Sequence, residues 1–335
     1  MAATDKVRLL PTIVPGTADN VRALTNAENN KRTERYQLRV TGQVDITGAG
    51  TGLRNRGSIL AALTDIGYSD GGTDKYVCDA RLARFIAEAF APSALPATRL
   101  AGAGIQGPTL LSEIVPIWMS APKTVSPNET KYVEVNKQLN QQVFITPLRQ
   151  ITRLAAGGGL VGTVTNLQAN VEQVFDELVA TPPWLSPFVR QLVQDVTGAN
   201  AQFRVDLRGS RYVRGIAIQQ DTDAGEVNNI INSLVLRGDA ASLFGDQPVP
   251  FLDLQQMMTE EQGGAVDAVS APGYLFIDFC RYGRLSTMWN PYQDTNVRLE
   301  LNVQPSAGNT GSKVRVAMVE YERTAATIAE LPIEI

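Results

Sequence analysis

The sequence predicts a mainly β protein with some helix, folded as two successive antiparallel β-domains. Three observations carry this. From Gln37 the chain reads Gln-Leu-Arg-Val-Thr-Gly-Gln-Val-Asp-Ile-Thr, with Leu38, Val40, Val44 and Ile46 on one face and Gln37, Arg39, Thr41, Gln43 and Asp45 on the other. From Gln202 the pattern restarts, with Phe203, Val205 and Leu207 opposed to Arg204, Asp206 and Arg208. A period of two with one wet face marks antiparallel sheet, because successive side chains leave a strand on opposite sides. Third, the second half continues as short alternating runs divided by turn residues, the cleanest being 296–303, where Val297, Leu299, Leu301 and Val303 alternate with Asn296, Arg298, Glu300 and Asn302.

Taken in order, residues 1–35 are polar, carry Pro11, Pro15 and Gly16, and predict an extended arm with at most a short helix over Ala18–Glu28. Two readings stand for it: a frayed terminus, or an arm that orders only against a neighbouring subunit. In the second, removing residues 1–30 would leave the fold and impair assembly. The domains that follow are expected at 36–182, with inserted helices, and at 201–325, joined by a helical linker at 183–200 and closed by a tail at 326–335. After the first strand comes the turn-rich Gly48–Gly57, then an apolar stretch, Ile59 to Ile66. Helical spacing of Leu82, Phe85, Ile86, Ala89 and Phe90 predicts a helix over 75–90 with Asp74 as N-cap, stopped by Pro92 and Pro96.

Strands are expected at 114–119, 132–135, 143–148 and 160–167, separated by loops with Pro122, Pro127 and Gly157-Gly-Gly. The region 169–197 reads as helix twice. Val171, Val174, Phe175, Leu178 and Val179 form one stripe; Leu185, Phe188, Val189, Leu192, Val193 and Val196 form another, with Ser186 as N-cap, Pro187 at N1 and Gly198 past the end. In the second half strands are expected at 202–208, 211–219, 231–237, 249–254, 273–281, 296–303 and 313–321. About seven or eight short strands is the count of a jelly roll or related sandwich.

Composition narrows the function. The 335 residues suffice for a sizeable core, and a hydrophobic share of 44% with 19% charged residues describes an ordinary folded protein. The net charge of −4, with Lys and Arg spread along the chain, gives no nucleic-acid footprint. With no histidine, Ser-His-Asp and Cys-His catalysis are excluded, and the commonest metal ligand is missing. Cys78 and Cys280, about 200 residues apart in apolar company, read as buried thiols and cannot make a zinc site alone. Met1 to Asn30 has no basic stretch followed by an apolar run, and no segment approaches the roughly 20 apolar residues of a membrane helix, so folding in a cytoplasm is expected.

The motifs point away from chemistry. Gly48-Ala-Gly50-Thr-Gly52 follows a strand, but Leu53 or Asn55 stands where a dinucleotide fold needs its third glycine. Gly157-Gly-Gly-Leu-Val-Gly162 lacks the Lys and Ser/Thr of a phosphate loop. Asp221, Asp223 and Glu226 are weak candidates for a loop cation site, since Gly225 occupies an expected ligand position; a solvated turn is the plainer reading. The densest aromatic–charged segment holds Tyr274, Phe276, Asp278, Phe279, Arg281, Tyr282, Arg284 and Trp289. An aromatic groove could take sugars or single-stranded nucleic acid. A core strand with a polar edge at a subunit contact is the stronger reading, with Arg281, Tyr282, Arg284 and Trp289 as interface candidates. No cofactor is implied.

Together, the polar arm, the two β-rich halves with similar openings (Tyr36–Thr47 and Ala201–Arg208), the helix at 75–90, the bridge near 169–197 and the closing strands 296–303 and 313–321 resemble the double jelly-roll major capsid proteins of tailless icosahedral bacteriophages and related viruses. The resemblance is architectural and spans about 36–325. It implies two jelly-roll sandwiches side by side in each subunit, a homotrimer with six similar walls, and assembly of that trimer into an icosahedral capsid lattice with other virion proteins. The arm would lie on the inner side, near neighbours and any internal viral membrane. Sequence-specific nucleic-acid binding and enzymatic activity are not implied. Three other classes stay open: a phage tail, baseplate or spike protein; a sugar-binding sandwich using the cluster near Trp289; and a carboxylate enzyme built from Asp278, Glu300 and Glu320.

Overall fold

The computed structural model describes residues 6–27, 32–47, 59–90, 107–119, 140–149, 161–176, 185–207, 211–223, 225–238, 242–243, 247–261, 273–280, 288–289 and 296–323. The chain divides into two compact units, changing over at Pro187–Phe188. Among the described residues no helix is long and apolar enough to cross a membrane.

The first unit holds β1 (Lys6–Leu9), β2 (Ala23–Asn26), β3 (Arg32–Thr47), a 3-10 turn (Ile59–Ala62), β4 (Leu63–Asp70), β5 (Thr73–Cys78), α1 (Ala80–Phe90), β6 (Gly107–Trp118), β7 (Gln142–Pro147) and β8 (Val161–Asp176). Its strands form two antiparallel sheets, β1-β8-β3-β6 and β5-β4-β7-β2. The opening strand lies as its alternation requires: Leu38, Val40, Val44 and Ile46 are buried while Arg39 faces water. Tyr36 on β3 stacks on Tyr68 on β4 with ring centroids 5.2 Å apart, tying one sheet to the other through the core.

Several expected helices are strands. The arm has no helix at 18–28; it runs as β1, an isolated bridge from Ile13 to Ala169, and β2, adding an edge strand to each sheet. Leu10 and Ile13 are buried in its own unit, so the arm is neither a frayed end nor dependent on a neighbour for order, and removing it would take side chains from the core. Residues 73–78 are β5, turned back on β4 through Gly71-Gly72, both at positive φ. The helix therefore begins at Ala80, and its cap is Asp79, whose Oδ1 accepts from the amides of Arg81 (3.0 Å) and Leu82 (3.4 Å). Asp74 instead accepts both guanidinium nitrogens of Arg22, at 3.0 and 2.8 Å.

The stripe beginning at Val171 belongs to β8, paired with β3 along its length. Two irregularities give strand β8 helix-like spacing. Asn166, at φ 52°, sits in a bulge opposite Gly42 that shifts the buried phase from Val164 to Leu167. A second register shift, at Thr33/Arg35, lies where the consecutive Val174 and Phe175 are both buried. Gln173 is also fully buried, donating to Thr33 Oγ1 at 2.8 Å, and that polar core residue hides the alternation.

The second unit, described from Phe188 on, comprises β9 (Leu185–Asp195), β10 (Asn200–Asp206), β11 (Tyr212–Thr222), β12 (Gly225–Glu226), β13 (Ile231–Arg237), β14 (Ser242–Leu243), β15 (Val249–Pro250), α2 (Phe251–Glu261), β16 (Tyr274–Asp278), β17 (Arg298–Val303) and β18 (Lys313–Arg323). One sheet runs β12-β11-β18-β9, with β16 also on β11; the other runs β10-β17-β13-β14, with β15 on β13. The expected linker helix at 183–200 is therefore β9 and the start of β10. Its apolar residues do not share one buried face: Phe188 and Val189 are buried while Val193 is 48% exposed. Residues 249–254 are strand only to Pro250; α2 then buries Phe251, Leu254 and Met258 at helical spacing. The core joins Val205 and Leu207, Ile216 and Ile218, Leu299, Leu301 and Val303, and Val314, Val316 and Met318. Cys78 and Cys280 are buried free thiols.

Candidate assembly surface and buried charge network

The loop after β11 separates its three carboxylates. Asp221 is buried and paired with Arg315; Glu226 accepts the Tyr274 hydroxyl at 2.9 Å. Exposed Asp223 accepts from Thr310 Oγ1 at 3.2 Å, and its amide donates to the Thr310 carbonyl at 3.0 Å. Each acid holds down a different piece of structure. Gln220 completes the loop by accepting the amides of Ile230 and Ile231, both at 2.8 Å. Among the described residues no group of three metal-ligating side chains converges.

The aromatic segment splits between core and covered face. Leu275 and Ile277 point into the core, and Tyr274 and Phe276 are buried on the opposite side of β16. Tyr274 receives a hydrogen bond from Gln219 at 2.9 Å, so its hydroxyl is committed inside the fold. Trp289 is half-buried, bridges to Val213 through two backbone hydrogen bonds, and lies 6.2 Å from the Phe279 ring. It thus packs on its own unit. Arg281, Tyr282 and Arg284 lie outside the described residues, as do Gly48–Gly52 and all of Gly157–Gly162 except Val161 and Gly162, which open β8.

The three candidate acids are not brought together. Glu300 stands on the outer face of β17, between Arg298 (2.7 Å) and Arg237 (2.9 Å). Burial works to raise its pKa, but the hydrogen bonds and charges of Arg298 and Arg237 together hold it below the ordinary value. Asp278 and Glu320 fall on opposite faces of the other sheet, since β16 sends 275 and 277 to the core while β18 sends 314, 316 and 318 there. Asp278 accepts the Cys280 amide at 2.9 Å.

Glu320, a candidate acid of the sequence, takes a place in the core that the sequence reading did not give it. It continues the core row Val314, Val316, Met318 and is fully buried opposite Val213. Among the described residues neither carboxylate oxygen has a hydrogen-bond partner; Arg190 and Arg211 stand 3.8 and 3.9 Å away. The Arg211 guanidinium also lies 3.6 Å over the Phe188 ring. Burial raises the Glu320 pKa above the ordinary value, and the two arginines oppose that shift. The phase of β18 was the available signal, because it places an acid where an apolar side chain is due.

Exposed apolar side chains concentrate on the arm: Val7, Leu9, Val14, Val21 and Leu24 are 49–70% exposed. They are not loose. Arg149 donates to Asp19 at 2.9 Å and to the Gly16 carbonyl at 2.7 Å, and Arg22 lies 4.1 Å over Phe144 while pairing with Asp74. The geometry holds an ordered apolar surface toward water.

No family model and no curated protein matches the chain. Solved structures do. The chain is similar to the structure of Sulfolobus Turreted Icosahedral Virus, at 14% identity and a TM-score of 0.71, over 98% of this chain and 94% of that one. It is similar to the major capsid protein P2 from Bacteriophage PM2, at 12% identity and a TM-score of 0.56, over 96% and 99%. It is also similar to the Faustovirus major capsid protein, at 10% identity and a TM-score of 0.60, over 96% and 90%. Over nearly its whole length, then, the chain has the fold of the double jelly-roll capsid proteins.

Proposed function

We propose that this chain is a major capsid protein, a structural subunit that assembles with copies of itself into the shell of an icosahedral virion. The observation that carries the reading is the likeness to viral capsid structures over 96–98% of the chain. Both units take part in it, since the likeness covers nearly the whole chain. The sequence resemblance pointed to bacteriophages. The fold supports the wider group of icosahedral viruses with such shells, because Bacteriophage PM2 shares it with viruses that are not named as phages.

The subunit is a homotrimer in this reading, three two-sandwich chains making six similar walls that tile a lattice with one gene product. Its two sandwiches correspond to the two compact units that change over at Pro187–Phe188, with the N-terminal strands belonging to the first. Its role is assembly, and the acids and aromatics described above serve the fold. Light scattering on the purified chain tests the stoichiometry. A stable species of about three subunits is expected, and a monomer at every concentration would overturn the reading.

A further inference from the structure

At one end of the first unit's core, three polar side chains meet. Ile66 and Tyr68 on β4 lie opposite Ile145 and Val143 on β7, and the same row continues to Asp70 and Gln141, both buried. The third comes from β5. Tyr68 pairs with Tyr76 and Ser69 with Asp74, so Lys75 is the extra residue of a β-bulge. A bulge re-aims a side chain. Lys75 Nζ reaches Asp70 Oδ2 at 3.2 Å, with the lysine side chain only 15% exposed. Asp74, the other acid of the hairpin, pairs with Arg22 instead. Gln141 is fixed through its backbone, whose carbonyl accepts the Ala27 amide at 2.8 Å. Its side-chain Nε2 donates to Asp70 Oδ1 at 3.4 Å, and its Oε1 is buried with no hydrogen bond among the described residues.

The two oxygens of one carboxylate thus face two different nitrogens. One is a primary amine, and the other is the leaving group of a carboxamide. Intramolecular acyl transfer needs these parts together: a nucleophile, an acyl carbon, and a general acid–base between the entering and leaving nitrogens. Burial keeps water, the competing nucleophile, from the amide carbon, and it disfavours a lysine charge held at the core.

We propose that Lys75 and Gln141 join in an isopeptide bond, with Asp70 carrying the protons. Lys75 Nζ gives a proton to the Asp70 carboxylate and attacks Gln141 Cδ, forming a new C–N bond. Asp70 passes that proton to Nε2 and takes a second one from the attacking nitrogen as the old C–N bond breaks. Ammonia leaves and carries off the second proton as ammonium, so the positive charge of Lys75 departs with it. No oxidant or further reactant is consumed. The product is a secondary amide that staples the bulge of β5 to the residue before β7. The shell-building reading neither requires this bond nor falls with it.

Mass spectrometry of the full purified chain and of its tryptic peptides tests the proposal. Wild type should weigh one ammonia less than its sequence. Digestion should yield peptide 57–81, which holds Lys75, joined to peptide 138–149, which holds Gln141. Lys75→Arg keeps the cation beside Asp70 and removes the amine, and Asp70→Asn removes the proton carrier. Both variants should keep their full sequence mass and give separate peptides, with circular dichroism checking that they fold. Wild type at full sequence mass overturns the proposal. So does an ammonia loss that persists in Lys75→Arg, because it arises elsewhere in the chain. Loss of one water, with peptide 138–149 free, makes Asp70 the acyl group and overturns the assignment of Gln141. A folded Asp70→Asn chain that still forms the link overturns the role given to Asp70.

Discussion

Glu320 ties one side chain to the pH dependence of the whole domain. Its carboxyl is raised by burial, so the folded chain holds that proton to higher pH than the unfolded chain does. The stability it contributes is fully present below the ordinary carboxylate range and is lost as pH rises through the folded pKa. Glu320→Gln should therefore match wild type in acid and become progressively more stable than wild type toward neutral pH. Thermal unfolding of both proteins over a pH series checks this, and a variant equally destabilised at every pH would contradict it. The position was legible in outline, since 313–321 was read as a strand and Glu320 lies in phase with Met318. Its two arginines were not legible. Arg190 and Arg211 come from β9 and from the residue before β11, and pairing across strands is not written in the local sequence.

Secondary structure followed the sequence where one face of a strand is apolar without interruption. The runs at 37–47 and 298–303 keep strict alternation and lie as expected. The failures share a physical cause. Bulges beside Thr33 and Gly42, with the buried amide of Gln173, broke the period of two in β8 until it matched a helix. At α1 the helical stripe was right but the start was early, because Tyr76 and Cys78 are buried from a strand. The cap assignments differ in consequence. Asp79→Ala removes the acceptor of two backbone amides and the carboxylate beside buried Arg81, and should cost at least about 1–2 kcal/mol. Asp74→Ala breaks a pair whose side chains are 47% and 36% exposed, and should cost less than about 1 kcal/mol. Urea denaturation of the two variants separates them; equal losses would contradict the assignment of Asp79 as cap.

At the scale of the molecule, the fold class was legible because two amphipathic openings announced two antiparallel domains, and both are present. The exposed apolar side chains of the arm were not, because they are scattered over a polar, proline-bearing stretch with no sequence period: Val7 and Leu9 lie on β1, Leu24 on β2, and Val14 and Val21 between strands. The arm supplies Leu10 and Ile13 to the core of its own unit, so its removal should lower the stability of that unit.

Negative-stain microscopy of the purified protein decides whether this chain builds a shell. Particles of three copies, or sheets and shells with hexagonal texture made from them, are expected. A field of single-chain particles, unchanged at high protein concentration, would show that it does not.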